Sequence, residues 1–385
     1  MYERILAARL KHHQRNVMLL GPRQVGKSTL LTSLMPDLTI NLASVATFRE
    51  YVSHPERLEQ ELRSAPESVH TVLIDEIQHV PELLNALQAV IDERPRRFRF
   101  LLSGSSARKL RRGQANLLPG RLLMYHMHPL LAREMGEAFD MNRVLAQGSL
   151  PGIYSEADAA VREQLLRSYV DTYLREEVQA EALVRDIGAY ARLLDLVAAR
   201  SGNVINLHRL SRDAAIGYET ARRYIEVLED TLILVRVPAW SGSDRTSLIS
   251  HPKVLLFDLG IRNALLRRPL DQPLEDERGL LLEHLVGLEL YRRTGDIWPE
   301  AKLHHFRSRG GSEVDYVLEV GREVWAIEVK ASRTIDTRDL AGLRAFAART
   351  TRLKRQIVVF LGPRRQQLDG IEAIPLLEFL GELPS

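Results

Sequence analysis

An α/β fold built on a parallel sheet is predicted by three stretches of this 385-residue chain. Gly21-Pro22-Arg23-Gln24-Val25-Gly26-Lys27-Ser28 fits the phosphate-loop pattern G-x-x-x-x-G-K-[ST] at every position. The apolar run Val17–Leu20 before it predicts a short buried strand, and Thr29–Met35 after it predicts a helix. Further along, Thr71-Val72-Leu73-Ile74 is a second apolar run that ends in paired carboxylates, Asp75-Glu76, and Arg99–Leu102 is a third, ending in Ser103-Gly104-Ser105-Ser106. Strands that are apolar throughout and separated by helical segments belong in a parallel sheet covered on both faces.

Ile5–Gln14 predicts an amphipathic helix leading into the first strand, Thr39–Leu42 a further short strand, and Pro55–Ala65 a charged helix. In a loop of the Gly21–Ser28 kind, backbone N–H groups and a helix N-terminus face an anion. Gly21 through Ser28, with Thr29 adjoining, are therefore the expected ATP-binding residues, Lys27 reaching the β- and γ-phosphates and the Ser28 hydroxyl holding Mg²⁺. Two carboxylates at a strand end are ordinarily solvated surface. Downstream of a phosphate loop they read as a Walker B segment, with Asp75 in the Mg²⁺ shell and Glu76 orienting or deprotonating the attacking water. A polar group on the adjacent strand is expected to help orient that water; Ser103 and Ser105 are both candidates, and the sequence does not choose between them. Arg108, Arg111, Arg112 and Arg121 follow, and one of them is expected to complete a neighbour's site as an arginine finger in a ring or filament of subunits. Arg121 is the first choice because the Pro119-Gly120 turn fixes its position.

Composition narrows the classes. Hydrophobic residues make up 45% and charged residues 27%, the balance of a globular protein with a real core. Zero cysteines exclude disulfides and thiolate metal sites. No apolar run approaches the roughly 20 residues needed to span a bilayer, and Met1-Tyr2-Glu3-Arg4 leads into no signal-peptide core, so a cytoplasmic protein without membrane contact is expected. The net charge of +3 does not itself point to nucleic acid, although the basic residues are mostly arginine, which favours bidentate contacts to phosphate or carboxylate.

In the middle of the chain, Gly148-Ser149-Leu150-Pro151-Gly152 punctuates the pattern before helical segments at Val161–Glu177 and Ile187–Arg200, with Tyr169, Tyr173 and Leu174 as packing residues on one face. Leu207–Ala215, Gly217 and Tyr218–Asp230 predict a helix–turn–helix. The strand-like runs Leu232–Val237 and Lys253–Phe257 flank a turn at Ser241-Gly242-Ser243-Asp244 and are expected to pair. That order resembles a winged helix. Ala221, Ile225 and Leu228 would face its core, leaving Glu219, Thr220, Arg222 and Arg223 exposed; Arg222 and Arg223 are candidate DNA contacts.

A polar segment, Arg267–Glu277, precedes a second α/β region. Gly279–Arg293 predicts a helix carrying Glu283, and two strands, Glu313–Leu318 and Val324–Lys330, are joined by a hairpin at Val320-Gly321-Arg322. Alternation puts Glu328 and Lys330 on one face with Asp315 on the partner strand. Two carboxylates and a lysine suit Mg²⁺-dependent phosphodiester hydrolysis, with Asp315 and Glu328 as metal ligands, Lys330 at the nucleophile or transition state, and Glu283 adding a carboxylate. Asp339–Ala348 and Gln356–Leu361 continue as helix and buried strand. The pairs His12-His13 and His304-His305 read as surface histidines, since adjacent side chains diverge and no spaced partner accompanies them.

Gly21–Ser28 (GPRQVGKS), Asp75–Leu83 (DEIQHVPEL), Ser103–Ser106 (SGSS) and Pro129–Met135 (PLLAREM) together resemble the bacterial and archaeal AAA-type ATPases that carry a C-terminal domain of unknown function. The resemblance extends over essentially the whole chain. The ordered set Glu283, Asp315, Glu328, Lys330 resembles the PD-(D/E)xK restriction-endonuclease-like fold, with Val314 where the motif has proline. What the resemblance implies is an AAA-type P-loop ATPase domain at 1–136, a helical connector and winged helix at 137–268, and a nuclease-like α/β domain at 269–385. It implies an ATP- and Mg²⁺-dependent homo-oligomeric ATPase that translocates or remodels DNA, with branched or junction DNA as a substrate by analogy. The alternatives are an ATP-gated Mg²⁺-dependent nuclease in repair or defence, and a STAND-like nucleotide switch that binds protein.

Overall fold

The computed structural model describes residues 2–105, 118, 120–173, 186–241 and 250–384. Ser106, Arg108, Arg111, Arg112, Leu174 and the turn residues Gly242, Ser243 and Asp244 lie outside the described residues. The chain divides into two compact units, Met1–Pro129 with Asp230–Ile233, and Leu130–Glu229 with Leu234–Ser385.

The first unit is a parallel α/β sheet. Helix α1 (Ile5–Lys11) leads into β1 (Asn16–Leu20), then α2 (Lys27–Thr32), β2 (Leu38–Asn41), α3 (Val45–Ser53), α4 (Glu56–Ser64), β3 (Thr71–Asp75), α5 (Leu83–Glu93), β4 (Arg99–Gly104) and β5 (Leu122–His126). The strand order is β2-β3-β4-β1-β5, every neighbouring pair parallel. Strands β1, β3 and β4 are buried almost along their length, which is why their sequences are apolar without alternation. Helix α5 presents Leu83, Leu84, Leu87 and Val90 to the sheet at helical spacing, joining Ile74, Phe100 and Leu102 in one core. Helix α2 ends at Thr32, three residues before the predicted Met35. Met35 has a φ of 54° and precedes Pro36, so the chain has already left helical geometry.

The second unit opens with short helices: α6 (Ala132–Met135), α7 (Met141–Gln147), α8 (Pro151–Ser155) and α9 (Ala159–Ser168). Helix α9 gives way to a π turn at Tyr169–Tyr173, where the sequence predicted one continuous helix; Tyr169 is buried against Phe257. Then come α10 (Ile187–Arg200), α11 (Leu207–Asp213), α12 (Tyr218–Asp230) and an antiparallel pair, β6 (Leu234–Val237) with β7 (Lys253–Leu256). Helix α12 buries Ala221, Ile225 and Leu228 and leaves Arg222 and Arg223 exposed.

Helix α13 (Leu259–Leu265) is capped by Asp258, which accepts from the Gly260, Ile261 and Ser149 amides; burial pushes its carboxyl up, opposed by those three bonds. Helix α14 (Arg278–Tyr291) leads to a six-stranded mixed sheet of β8 (Ala301–Arg307), β9 (Glu313–Val320), β10 (Glu323–Lys330), β11 (Leu353–Phe360), β12 (Gln366–Leu368) and β13 (Ile371–Pro375), in the order β12-β13-β11-β10-β9-β8. Helices α15 (Ala341–Ala347) and α16 (Leu376–Glu382) complete it. Strand β8 was not foreseen, and with it the reading of His304-His305 as surface is corrected. An irregularity in the β8–β9 register between His304 and Phe306 breaks alternation, so His305 and Phe306 are both buried. His305 Nε2 lies 2.9 Å from the His251 carbonyl oxygen, and burial lowers its pKa to about 4.

Helix α14 holds a buried ion pair. Glu289 Oε2 accepts from Arg293 Nη1 at 2.5 Å while Oε1 accepts from the Ala132 amide at 2.8 Å, both side chains being almost wholly buried. Removing one partner strands a charge inside the protein. Glu289→Ala is therefore expected to cost the second unit about 3–5 kcal/mol of stability, read as a lowered urea midpoint; an unchanged midpoint would contradict this role.

Candidate functional site

In a parallel sheet all strand C-termini lie on one edge, and ligands are bound there. Gly21–Ser28 leaves β1 on that edge, Asp75 and Glu76 close β3, and Ser103 lies near the end of β4. Because β4 sits between β1 and β3, the loop strand and the acidic strand do not pair. Side chains join them instead.

The loop is shaped by two glycines. Gly26 has a φ of 94°, and a Cβ on Gly21 would stand 2.3 Å from the Met127 carbonyl oxygen, so the loop backbone can lie against the segment after β5 only without a side chain there. Arg4 braces the same loop, donating to the Val25 carbonyl at 2.8 Å and the His128 carbonyl at 2.6 Å. Lys27 is buried and donates to the loop's own carbonyls, Gly21 at 2.9 Å and Pro22 at 3.0 Å, with Glu76 Oε1 at 3.9 Å. A triphosphate would take Lys27 from those carbonyls.

Ser28 Oγ donates to Asp75 Oδ1 at 3.0 Å, and Ser103 Oγ donates to the same oxygen. Ser103 Oγ also accepts from the Glu76 amide at 2.9 Å. Glu76 is a non-glycine residue at a φ of 58°, a left-handed conformation with a real energetic cost, common at sites where a side chain must leave the strand direction. Its Oε2 accepts from Gln78 Nε2, which also donates to Ser105 Oγ at 3.0 Å. The two serine candidates thus have separate partners: Ser103 touches Asp75 and Glu76, whereas Ser105 reaches Glu76 only through Gln78. A hydroxyl and a carboxylate 3.0 Å apart are the hard oxygen donors that Mg²⁺ takes, so Ser28 and Asp75 fit that ion. Pro22, Arg23, Gln24, Val25 and Thr29 belong to the loop or the first turn of α2.

Arg121 is elsewhere. It precedes β5 at the opposite edge of the sheet, its carbonyl accepting from Asn16, and it forms a bidentate pair with Asp92 at 2.7 and 3.0 Å. Its own P-loop is out of its reach.

In the second unit, Glu283 (α14), Asp315 (β9), Glu328 and Lys330 (β10) converge. Asp315 Oδ2 accepts from the Val329 amide at 2.8 Å, and Lys330 Nζ donates to Glu328 Oε1 at 2.9 Å. Lys253, on β7, is the member that sequence reasoning missed: it is buried and donates to Glu283 Oε1 at 2.5 Å and to the Asp315 carbonyl at 3.0 Å. Burial, then the nearby Asp315 carboxylate, push Glu283 up to about 7 and Glu328 up to about 8; burial also raises Asp315. Glu328 Oε2 is buried without a hydrogen-bond partner among the described residues. The donors are of the right kind for a divalent cation, yet the two lysines already neutralise Glu283 and Glu328. No group of three or more Asp, Glu, His or Cys side chains among the described residues has metal-site geometry. On α12, Arg222 pairs with Glu219 at 2.8 Å, and Arg223 lies 5.8 Å from the Tyr224 ring centroid.

Residues 13–136 match the model of a family described as AAA domain. Residues 138–272 and 278–379 match two families each described as a domain of unknown function (DUF8612 and DUF4143). An uncharacterized protein of Mycobacterium tuberculosis is 26% identical over 392 residues, spanning 97% of this chain and 83% of that protein. Another, of Methanocaldococcus jannaschii, is 23% identical over 270 residues, spanning 64% of this chain and 58% of that protein. Among solved structures, a RuvB variant of Thermotoga maritima aligns over 60% of this chain and 85% of that one at 17% identity, with a TM-score of 0.29, too low to argue from. The chain therefore carries an AAA-type P-loop ATPase domain followed by two domains of unknown function. No described helix is long and apolar enough to cross a membrane.

Two outcomes follow from this geometry. Ser103→Ala removes both of the serine's bonds to the acidic strand, so ATP turnover should fall about tenfold or more while nucleotide affinity changes little; equal turnover would show that Ser103 is only packing. The second concerns pH. Glu283 and Glu328 have folded pKa values raised above 4.5, so they stabilise the fold fully below that range and lose this as pH rises through about 7 and 8. The urea midpoint of the second unit should drop between pH 5 and pH 8.5, and drop less in Glu328→Gln; the same pH dependence in both would contradict the assignment.

Proposed function

We propose that the protein is an ATP-hydrolysing AAA-type ATPase that works as a homo-oligomer and translocates or remodels DNA engaged by its second unit. One observation carries the ATPase reading: Ser28, Asp75, Ser103 and Glu76 form a continuous hydrogen-bonded chain at the phosphate-binding edge of the sheet. The loop amides and Lys27 bind the triphosphate, and Ser28 and Asp75 hold its Mg²⁺, which would neutralise charge developing between the phosphates. Glu76 orients the attacking water and takes its proton, with Gln78 fixing the carboxylate's rotamer. A finger from a neighbouring subunit, Arg121 being the candidate, would have to exchange Asp92 for the transferred phosphoryl group.

DNA as the load is supported by α11 and α12 preceding an antiparallel strand pair, the arrangement of a winged helix, with Arg222 and Arg223 exposed on α12. The Arg222–Glu219 pair is at the surface, where such pairs are worth about 0–1 kcal/mol, so phosphate can replace Glu219 cheaply. A second reading, phosphodiester cleavage, is favoured by the convergence of Glu283, Asp315, Glu328 and Lys330 and by the unpartnered Glu328 Oε2.

The steady-state ATPase rate, measured alone, with linear duplex and with a four-way junction, should rise several-fold with DNA, and Arg222→Ala with Arg223→Ala should abolish the rise. A rate indifferent to every DNA would reject DNA as the load. In the same mixtures the second reading requires Mg²⁺-dependent strand cleavage that Asp315→Ala abolishes; intact DNA with the wild type would reject it.

A further inference from the structure

The first unit holds a second charged feature, at the opposite end of its sheet from the P-loop. A cleft of about 700 Å³ lies where β1, β3 and β4 begin, around Asn16, Thr71 and Arg99, and just before β5. A five-residue strand separates this edge from the phosphate edge by about 16 Å. Six arginines line the cleft, Arg15, Arg94, Arg96, Arg97, Arg99 and Arg121, and among the described residues no carboxylate does.

Compensation of that charge is incomplete. Arg121 is paired with Asp92, Arg94 lies 3.9 Å from a Glu93 already held by Arg63, and Arg97 donates to backbone carbonyls at Val69 and Pro66. Arg99, among the described residues, donates only to the Leu10 carbonyl, at 2.5 Å, and its buried Nε has no partner there. Among the described residues, Arg15, Arg96 and Arg99 form no ion pair. Arg96 is held at a φ of 67°, a left-handed conformation that a non-glycine residue adopts at a cost and that collects at functional positions. Burial and then the charges of Arg99 and Arg15 lower the pKa of His13, also in the lining.

We propose that this cleft binds the phosphodiester backbone of a single nucleic-acid strand, independently of sequence. Guanidinium forks match phosphate oxygens bidentately, and several of them on separate elements suit phosphates repeated along a chain. Phe98 and Phe100 are buried in the core and offer bases no face, so the contacts argued here are to phosphate, and contacts to phosphate carry no sequence information. The volume admits one strand; a duplex would meet the cleft along one backbone only. The site lies in the ATPase unit itself, and the proposal rests on nucleic acid being the load.

The test is fluorescence anisotropy of labelled oligothymidylate across a salt series, with wild type and an Arg15→Gln/Arg96→Gln double variant, tripolyphosphate serving as competitor and as a separate ligand. Neither side chain forms a hydrogen bond, and neither belongs to the P-loop, so an unchanged ATPase rate without DNA confirms that the variant is folded; Arg94→Gln serves as a second variant. The double variant should bind about tenfold more weakly, with a log–log salt slope shallower by about 1.4, the loss expected for two phosphates of a single strand. Equal affinity and slope would place the strand elsewhere and overturn the cleft while leaving DNA as the load. No binding by wild type would overturn the cleft as a strand site, while DNA as the load is decided separately by the ATPase response to duplex and junction DNA. Binding of tripolyphosphate through these arginines without binding of the oligonucleotide would overturn the strand as ligand.

Discussion

The carboxylate of Asp75 is where the nucleotide site is tied together. A parallel sheet with β4 between the loop strand and the acidic strand offers no backbone bond between Gly21–Ser28 and Asp75–Glu76. Asp75 supplies the link by accepting from Ser28 on one side and Ser103 on the other, and Ser103 passes it on to the Glu76 amide. The group that would hold the metal and the group that would activate water are thus both positioned by one hydroxyl, that of Ser103. Lys27, meanwhile, is held by carbonyls of its own loop, so nucleotide entry must exchange those bonds for phosphate contacts. Binding is coupled to loop geometry by that exchange.

The second unit follows a different economy of charge. Its interior contains polar and charged groups matched to partners: Glu289 with Arg293, Asp258 with three amides, and Arg292 with the carbonyls of Leu130 and Phe257. Near β9 and β10 the matching is only partial. Three carboxylates face two lysines, and desolvation raises Glu283, Asp315 and Glu328 together. Clusters kept in this state sacrifice stability near neutral pH, a pattern that recurs where a protein needs the groups for chemistry or for binding.

Much of the first unit was legible because local signals and global fold agree there. The phosphate loop, the apolar runs of β1, β3 and β4, and the acidic pair at Asp75-Glu76 each encode their place without help from distant residues. The rest depends on partners that sequence spacing does not reveal. Arg4 braces a loop more than twenty residues away, and Gln78 acquires meaning only once Glu76 turns into a left-handed conformation. Met35 with Pro36 stops α2 early. The interior place of His305 follows from a register irregularity invisible in the alternation, and Lys253, read as no more than a strand residue, fills the middle of the carboxylate cluster. The convergence of Glu283, Asp315, Glu328 and Lys330 was legible from order and alternation, whereas the pairing of Glu283 with Lys253 was not.

The role of Glu76 as the residue that activates water is tested most directly by single-turnover hydrolysis of ATP with Mg²⁺, comparing wild type with Glu76→Gln while nucleotide affinity is measured on the same samples. The amide keeps the shape and the contact with Gln78 but cannot take a proton. Affinity should be preserved while the hydrolysis rate falls by about 10²–10⁴-fold, the range for losing a general base. Equal single-turnover rates in the two proteins would contradict the assignment of this strand end as the hydrolytic centre.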